Sequence, residues 1–157
     1  MKLVTKIIEP QNREHLERLL LKLEKDSLPI WGKMTAQQMV EHLIDQVQYT
    51  NGKKIPYCEV TEQEAYKARQ INIYTDTELS RNVIFGEPLK KLLFSDLNVA
   101  TNQLMSELRD FDKYFEEPGK TEIHGAFGPM TYQEWLIWHS KHFYHHLKQF
   151  GLIEGSY

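Results

Sequence analysis

The sequence predicts an all-α protein, a bundle of four amphipathic helices. Three observations carry that prediction. Four stretches repeat apolar residues at three- and four-residue spacing, the period at which a helix presents one face. Helix starts are marked by capping boxes, Thr-x-x-Gln or Thr-x-x-Glu, and helix ends by glycine or proline. Strand signal is confined to a few short runs.

The chain has 157 residues, enough for one domain, 1–157, to bury a core without disulfides or a structural metal. Its 41% hydrophobic and 26% charged residues are ordinary for a globular protein, and a net charge of −3 with no Lys/Arg cluster argues against a nucleic-acid surface. A single cysteine, Cys58, excludes an internal disulfide and fits a reducing compartment. The opening MKLVTKIIEPQNREH lacks the apolar core of a signal peptide, and no stretch approaches membrane-spanning length. The expectation is a cytoplasmic protein with neither nucleic-acid nor membrane partners.

Leu3 to Ile8 is too short to classify. From Pro10, Leu16, Leu19, Leu20 and Leu23 recur at helical spacing; Pro10 suits the first turn and Asp26-Ser27-Leu28-Pro29 ends the first helix. After a PIWG turn, Thr35 and Gln38 cap a second helix with a core stripe of Met39, Val40, Leu43, Ile44 and Val47, ended by Asn51-Gly52. His42 falls beside Met39 and Gln46, on the flank of that stripe. Residues 53–94 are the least legible. Thr61 and Glu64 predict a capped helical turn through Tyr66, whereas INIY (71–74) and NVIF (82–85) read as extended, with Gly86 and Pro88 as punctuation. So long a connection is unusual in a compact domain, and it is expected to cross the outside of the bundle. The third helix carries Leu97, Ala100, Leu104, Leu108, Phe111 and Phe115, with Ser95 or Asp96 as cap and Pro118-Gly119 as stop. KTEIHGAFGPM (120–130) reads as a loop. Thr131 and Glu134 then cap the last helix, Trp135 to Phe150, with Gly151 at its C-terminal left-handed position.

That last helix holds four of the seven histidines, His139, His142, His145 and His146. Residues four apart on a helix lie one above the other, close enough for two imidazoles to share a metal ion, and only His142 and His146 have that spacing. A neutral imidazole binds zinc, nickel, copper or iron(II), and three imidazoles leave a coordination position open for water or substrate. The third ligand must come from elsewhere. His42 is preferred, because it too flanks an apolar stripe, so that two neighbouring helices would bring the three rings together at the rim of the core. The bland reading is that histidines on aromatic-rich faces are partly buried polar fillers. His139 is either a fourth ligand or a core histidine bonded to a carbonyl. His145 projects towards the polar side and is expected to be exposed, with a supporting role for a ligand as the alternative. His15 lies on a charged surface and reads as solvated.

Trp31, Trp135, Trp138, Phe127 and Tyr144 either wall a substrate pocket or belong to the core. Cys58 sits in Pro-Tyr-Cys-Glu without a flanking base, a poor setting for a nucleophile. Neither a G-x-S-x-G elbow, a P-loop nor a dinucleotide fingerprint is present, and His42 is followed by Leu-Ile-Asp rather than completing H-E-x-x-H. Glu41 adjoins His42 but points about 100° away around the helix. No carboxylate is identifiable as a general base.

Two segments together resemble a known superfamily. PIWGKMTAQQMVEHL (29–43) is similar to the second-helix signature of the DinB-like, or YfiT-like, metal-binding four-helix bundles, and HGAFGPMTYQEWLIWHSKHFYHHLKQFG (124–151) resembles the closing signature of an uncharacterised branch of it. The resemblance implies a four-helix bundle with a long crossover between the second and third helices, and places the superfamily's three histidine ligands at His42, His142 and His146. It also implies a divalent metal that activates a low-molecular-weight thiol, as in the superfamily's thiol transferases and isomerases. One departure is His124-Gly125, where the branch usually has His-Pro; it bears on the loop's geometry and on any role of His124.

The expected function is therefore a metal-dependent enzyme, a thiol S-transferase or a hydrolase, with zinc or nickel foremost and manganese or iron behind them. Its partner would be a small substrate, a low-molecular-weight thiol among the candidates. One alternative is a non-catalytic bundle that binds a small apolar ligand or a protein partner. Another is a structural bundle that forms a homodimer through the histidines. A metal held by three imidazoles of ordinary pKa near 6.5 is expected to be lost below roughly pH 6.

Overall fold

The computed structural model describes residues 2–81 and 91–154. Five α-helices carry about half of them: α1 (Arg13–Leu20), α2 (Ala36–Gln48), α3 (Glu62–Tyr74), α4 (Leu97–Tyr114) and α5 (Tyr132–Gln149). A two-stranded antiparallel sheet, β1 (Thr121–His124) and β2 (Gly128–Thr131), joins α4 to α5. The protein is mostly helical, as the periodicity predicts, with one helix and one hairpin that the periodicity does not announce.

Pro10 opens a short 3-10 turn, Pro10–Asn12, before α1, a place where its fixed φ and missing N–H do no harm. Leu16, Leu19 and Leu20 are buried, and Leu23 is buried just beyond the helix. Arg13 forks onto Asp112 of α4 at 2.9 and 3.0 Å, and the Tyr132 hydroxyl at the start of α5 donates to the same carboxylate at 2.8 Å. One charge-assisted junction thus fastens α1, α4 and α5.

α2 packs chiefly on α4. Its start is the expected capping box: Thr35 Oγ1 accepts from the Gln38 N–H at 3.1 Å, and Gln38 Oε1 accepts from the Thr35 N–H at 2.9 Å. Met39, Val40, Leu43 and Val47 enter one core with Ala100, Leu104, Leu108 and Phe111 of α4 and with Leu136, Phe143 and Leu147 of α5. Gly52 closes α2 at φ +85°, where a Cβ would lie 2.9 Å from the Tyr114 ring. Beside this turn Glu107 of α4 is fully buried and accepts from Gln48, Gln103, Asn51 and Lys53. Burial alone would raise its carboxyl pKa; these donors outweigh burial and hold it below the ordinary value.

The connection from α2 to α4 departs most from expectation. INIY (71–74) is not extended but forms the last turn of α3. Ile71, Ile73 and Tyr74 favour strands locally, yet the Thr61–Glu64 box starts a helix that runs through them. The helix lacks an apolar stripe, since only Ala65 and Ile73 are buried, so its periodicity is faint. Its end is supplied by another helix. The buried Lys141 of α5 donates to the carbonyls of Asn72, Thr75 and Thr77 at 2.6, 2.9 and 2.8 Å. NVIF (82–85), Gly86 and Pro88 lie outside the described residues.

The segment 120–130 is likewise no loop. Thr121 pairs with Thr131 and His124 with Gly128, with Gly125, Ala126 and Phe127 between the strands. His124 Nδ1 stitches that turn by accepting from the N–H groups of Ala126 and Phe127 at 3.0 and 3.2 Å. The hairpin docks on α3 and α5: Arg69 donates to the Phe127 carbonyl at 2.7 Å, and Trp135 Nε1 donates to the Glu122 carbonyl at 3.0 Å. Such docking needs tertiary partners and leaves little trace in an eleven-residue window. α5 starts three residues earlier than expected, on the Thr131–Glu134 box, and ends with Gly151 at φ +69°. Among the described residues no helix is long and apolar enough to cross a membrane.

Candidate metal centre

His42 from α2 meets His142 and His146 from α5. Four-residue spacing stacks the α5 pair one turn apart, and the α2 stripe, which buries Met39 and Leu43 on either side, turns His42 towards them. His142 Nε2 stands 3.0 Å from His42 Nε2 and 3.1 Å from His146 Nε2, and all three ligand atoms lie within 4.8 Å of one another. The rings are set edge to face, at 87° for His42 and His142 and 64° for His142 and His146. All three side chains are buried.

Hydrogen bonding alone satisfies this arrangement poorly. The Nε2 atom of a neutral His142 carries at most one hydrogen, and an N–H points along one line. A single N–H, or a single lone pair, on His142 Nε2 can be aimed well at only one of its two short contacts. Two nitrogens bound tetrahedrally to one ion at about 2.0–2.1 Å are separated by about 3.3 Å, a little more than the two short spacings here, so the cluster is compatible with a divalent cation.

The electrostatics agree. Burial holds the His42 pKa down to about 4, aided by His146 and opposed by Asp45. Burial, then His146 and His42, holds His142 well below the ordinary value. His146 is lowered by burial and partly restored by its bond to Gln149. All three are neutral at pH 7, the protonation state in which an imidazole is a ligand.

Two contacts steady the third ring. His146 Nδ1 lies 2.7 Å from Gln149 Oε1, and Gln149 Nε2 donates to the Trp31 carbonyl at 3.0 Å. The Ile30 N–H in turn donates to the Gln149 carbonyl at 2.7 Å, so the Pro29–Gly32 turn sits against the end of α5. From sequence, Gln149 had no assigned role, and Trp31 of this turn was expected only as a pocket wall or core residue. The available signal was that Gln149 stands three residues after His146, on the same helical face.

The remaining histidines divide plainly. His139 does not join the cluster. The Thr50 hydroxyl donates to the Val47 carbonyl at 2.7 Å, so at the 3.0 Å contact His139 Nε2 donates to Thr50 Oγ1. It is a core histidine, among Phe111, Trp135 and Phe143, bonded to a hydroxyl rather than to a carbonyl. His145 is not exposed as expected but only 8% accessible, packed against the Trp31 ring at 5.4 Å and the His146 ring at 5.2 Å. Helical angle places it off the stripe, and the Trp31 segment covers it. His15 is exposed as expected; Cys58 is exposed too.

Of the five aromatics, Trp135, Trp138 and Phe127 belong to the core. Trp31 is half-buried beside His145, with the Arg81 guanidinium 4.1 Å over its ring. Tyr144 borders a cavity of about 310 Å³ with Leu3, Val4, Glu78 and Lys141, a lining that includes none of the three clustered histidines. Glu41 is buried and turned away from the cluster: its carboxylate accepts from the Leu93 N–H at 2.6 Å and from Gln37 at 2.9 Å, tying the end of the long connection to α2.

Against known proteins, a family model described as a protein of unknown function (DUF1569) matches residues 73–151, half of the chain. The matched part contains α4, the hairpin and α5, hence His142 and His146 but not His42. No curated protein and no solved structure matches the chain.

Proposed function

The chain belongs to the DUF1569 family, and we propose that it is a metal-dependent enzyme of the thiol S-transferase or hydrolase class, with His42, His142 and His146 as the metal ligands. The observation that carries this is the convergence of three neutral imidazole nitrogens, two of whose separations are 3.0 and 3.1 Å. A purely nitrogen donor set favours zinc or nickel over the oxygen-seeking manganese, with iron(II) next. When bound, such an ion lowers the pKa of a water or thiol and so supplies a nucleophile near neutral pH. The chain's own part is to hold three lone pairs at one point, on two helices locked by the core, and to keep the rings unprotonated.

The fold reading goes with it. We take α1, α2, α4 and α5 as a four-helix bundle and α3 as a helix carried by the crossover from α2 to α4, within a single domain. This is the architecture that the DinB-like resemblance implies.

Elemental analysis of untagged wild-type protein beside His142→Ala tests the metal site. About one divalent ion per chain, lost in the variant, is the expected result, and it would justify assays of thiol transfer and hydrolysis. Full retention of metal by His142→Ala would exclude this ligand set. A wild type that stays metal-free after reconstitution with zinc and nickel, yet binds a hydrophobic probe, would turn the reading to a non-catalytic binding bundle.

A further inference from the structure

We propose that Gln149 is a positioning residue that fixes the tautomer of His146, and through it the affinity of the metal site; this rests on the three-histidine reading above. The Trp31 carbonyl can only accept a hydrogen bond, so the side-chain group of Gln149 that stands 3.0 Å from it must be the NH2. The amide oxygen then faces His146 Nδ1 at 2.7 Å. Two lone pairs at that distance repel, so Nδ1 carries the hydrogen and donates it to Oε1. A neutral imidazole has one N–H, and Nε2 is left bare towards His42 and His142.

The direction of control is thus from the Pro29–Gly32 turn, through one amide, to the lone pair a cation needs. Gln149 is itself only 5% exposed, and its backbone carbonyl is clamped by the Ile30 N–H at 2.7 Å, so the amide has little freedom to turn over. A hydrogen-bond partner on the far nitrogen of a ligating histidine typically changes metal affinity by about 10–100-fold.

The test uses the full chain in two states. In the metal-free protein, imidazole nitrogen chemical shifts report which nitrogen of His146 holds the hydrogen. The expected result is Nδ1 in the wild type and Nε2 in Gln149→Leu. An Nε2-protonated wild type, or an Nδ1-protonated Leu variant, would overturn the assignment. In the second state, cobalt(II) is titrated and read by its visible absorption. Gln149→Leu is expected to bind about 10–100-fold more weakly, and Gln149→Glu, which keeps an acceptor for Nδ1–H but loses the donor to the Trp31 carbonyl, to recover part of the loss. Equal affinity in wild type and Gln149→Leu would refute the role. Circular dichroism checks that each variant folds; if the Leu variant does not, the wild-type tautomer and the Glu variant's affinity decide. If even the wild type takes no cobalt, the metal reading fails, while the tautomer measurement still decides what Gln149 does.

Discussion

Gly32 shows how much a single backbone conformation contributes to the site. It sits at φ +79°, a region that costs a residue with a side chain about 1–3 kcal/mol, and a Cβ there would lie 2.9 Å from Gln149 Nε2. Gly32→Ala therefore carries two penalties: strain in the turn, and displacement of the amide that faces His146. We expect urea denaturation to show a loss of about 1–3 kcal/mol, together with weaker cobalt binding. A variant that lost stability but bound cobalt like the wild type would mean that the turn does not steer the amide. Thr50 plays a comparable part for His139, since its hydroxyl both receives the imidazole N–H and passes the chain of bonds on to Val47. His139 Nδ1 stays buried without a hydrogen-bond partner among the described residues.

At the scale of elements, α3 is held from outside. Few of its residues are buried, and its C-terminal carbonyls, with those of Thr75 and Thr77, are satisfied by Lys141 rather than by a local cap. Burial lowers the Lys141 pKa, so the ammonium is kept by its three acceptors and by the nearby Asp76 and Glu78. Lys141→Met fills the same space without the donors and leaves the carbonyls of Asn72, Thr75 and Thr77 without this partner, at about 1–3 kcal/mol for any of them that water cannot reach. The expected result is faster amide exchange in 62–77 with α4 unchanged. Protection that fell equally in α3 and α4 would instead indicate global loss of stability. The hairpin has the same logic, for Arg69 and Trp135 fasten it by its backbone carbonyls.

For the whole molecule, the buried histidines set an acid limit. Burial holds His124 at about 4, and burial with neighbouring positive groups holds His139 at about 3, against about 6.5 when unfolded. Between those values the unfolded chain binds more protons than the folded one, so stability rises with pH across the window and is lost as pH falls. Each group contributes up to about 1.4 kcal/mol per pH unit there. Denaturation midpoints should be level above about pH 7 and decline steadily from pH 6.5 towards 4; a flat profile would show that these rings are solvated. The same burial moves the expected acid release of metal. A site of ordinary imidazoles would let go below roughly pH 6, whereas His42, held at about 4, meets proton competition only at lower pH. Cobalt absorption followed from pH 7.5 to 4.5 distinguishes the two thresholds.

Helix positions were legible in the sequence wherever a residue's role depends on its own neighbours. The capping boxes at Thr35, Thr61 and Thr131, the stripes of α1, α2, α4 and α5, and the left-handed Gly151 all act within one or two helical turns. The pairing of His142 with His146 belongs to this class, because helix geometry alone sets it. Only the tertiary structure decided the rest. It carried α3 through Ile71–Tyr74, folded 121–131 into a hairpin, buried His145 beneath Trp31, and set the Trp31 carbonyl against Gln149. In each case the deciding partner lies tens of residues away. His42 stands between the two classes: its place on the flank of a helix is local, but its 3.0 Å approach to His142 exists because α2 and α5 share one core.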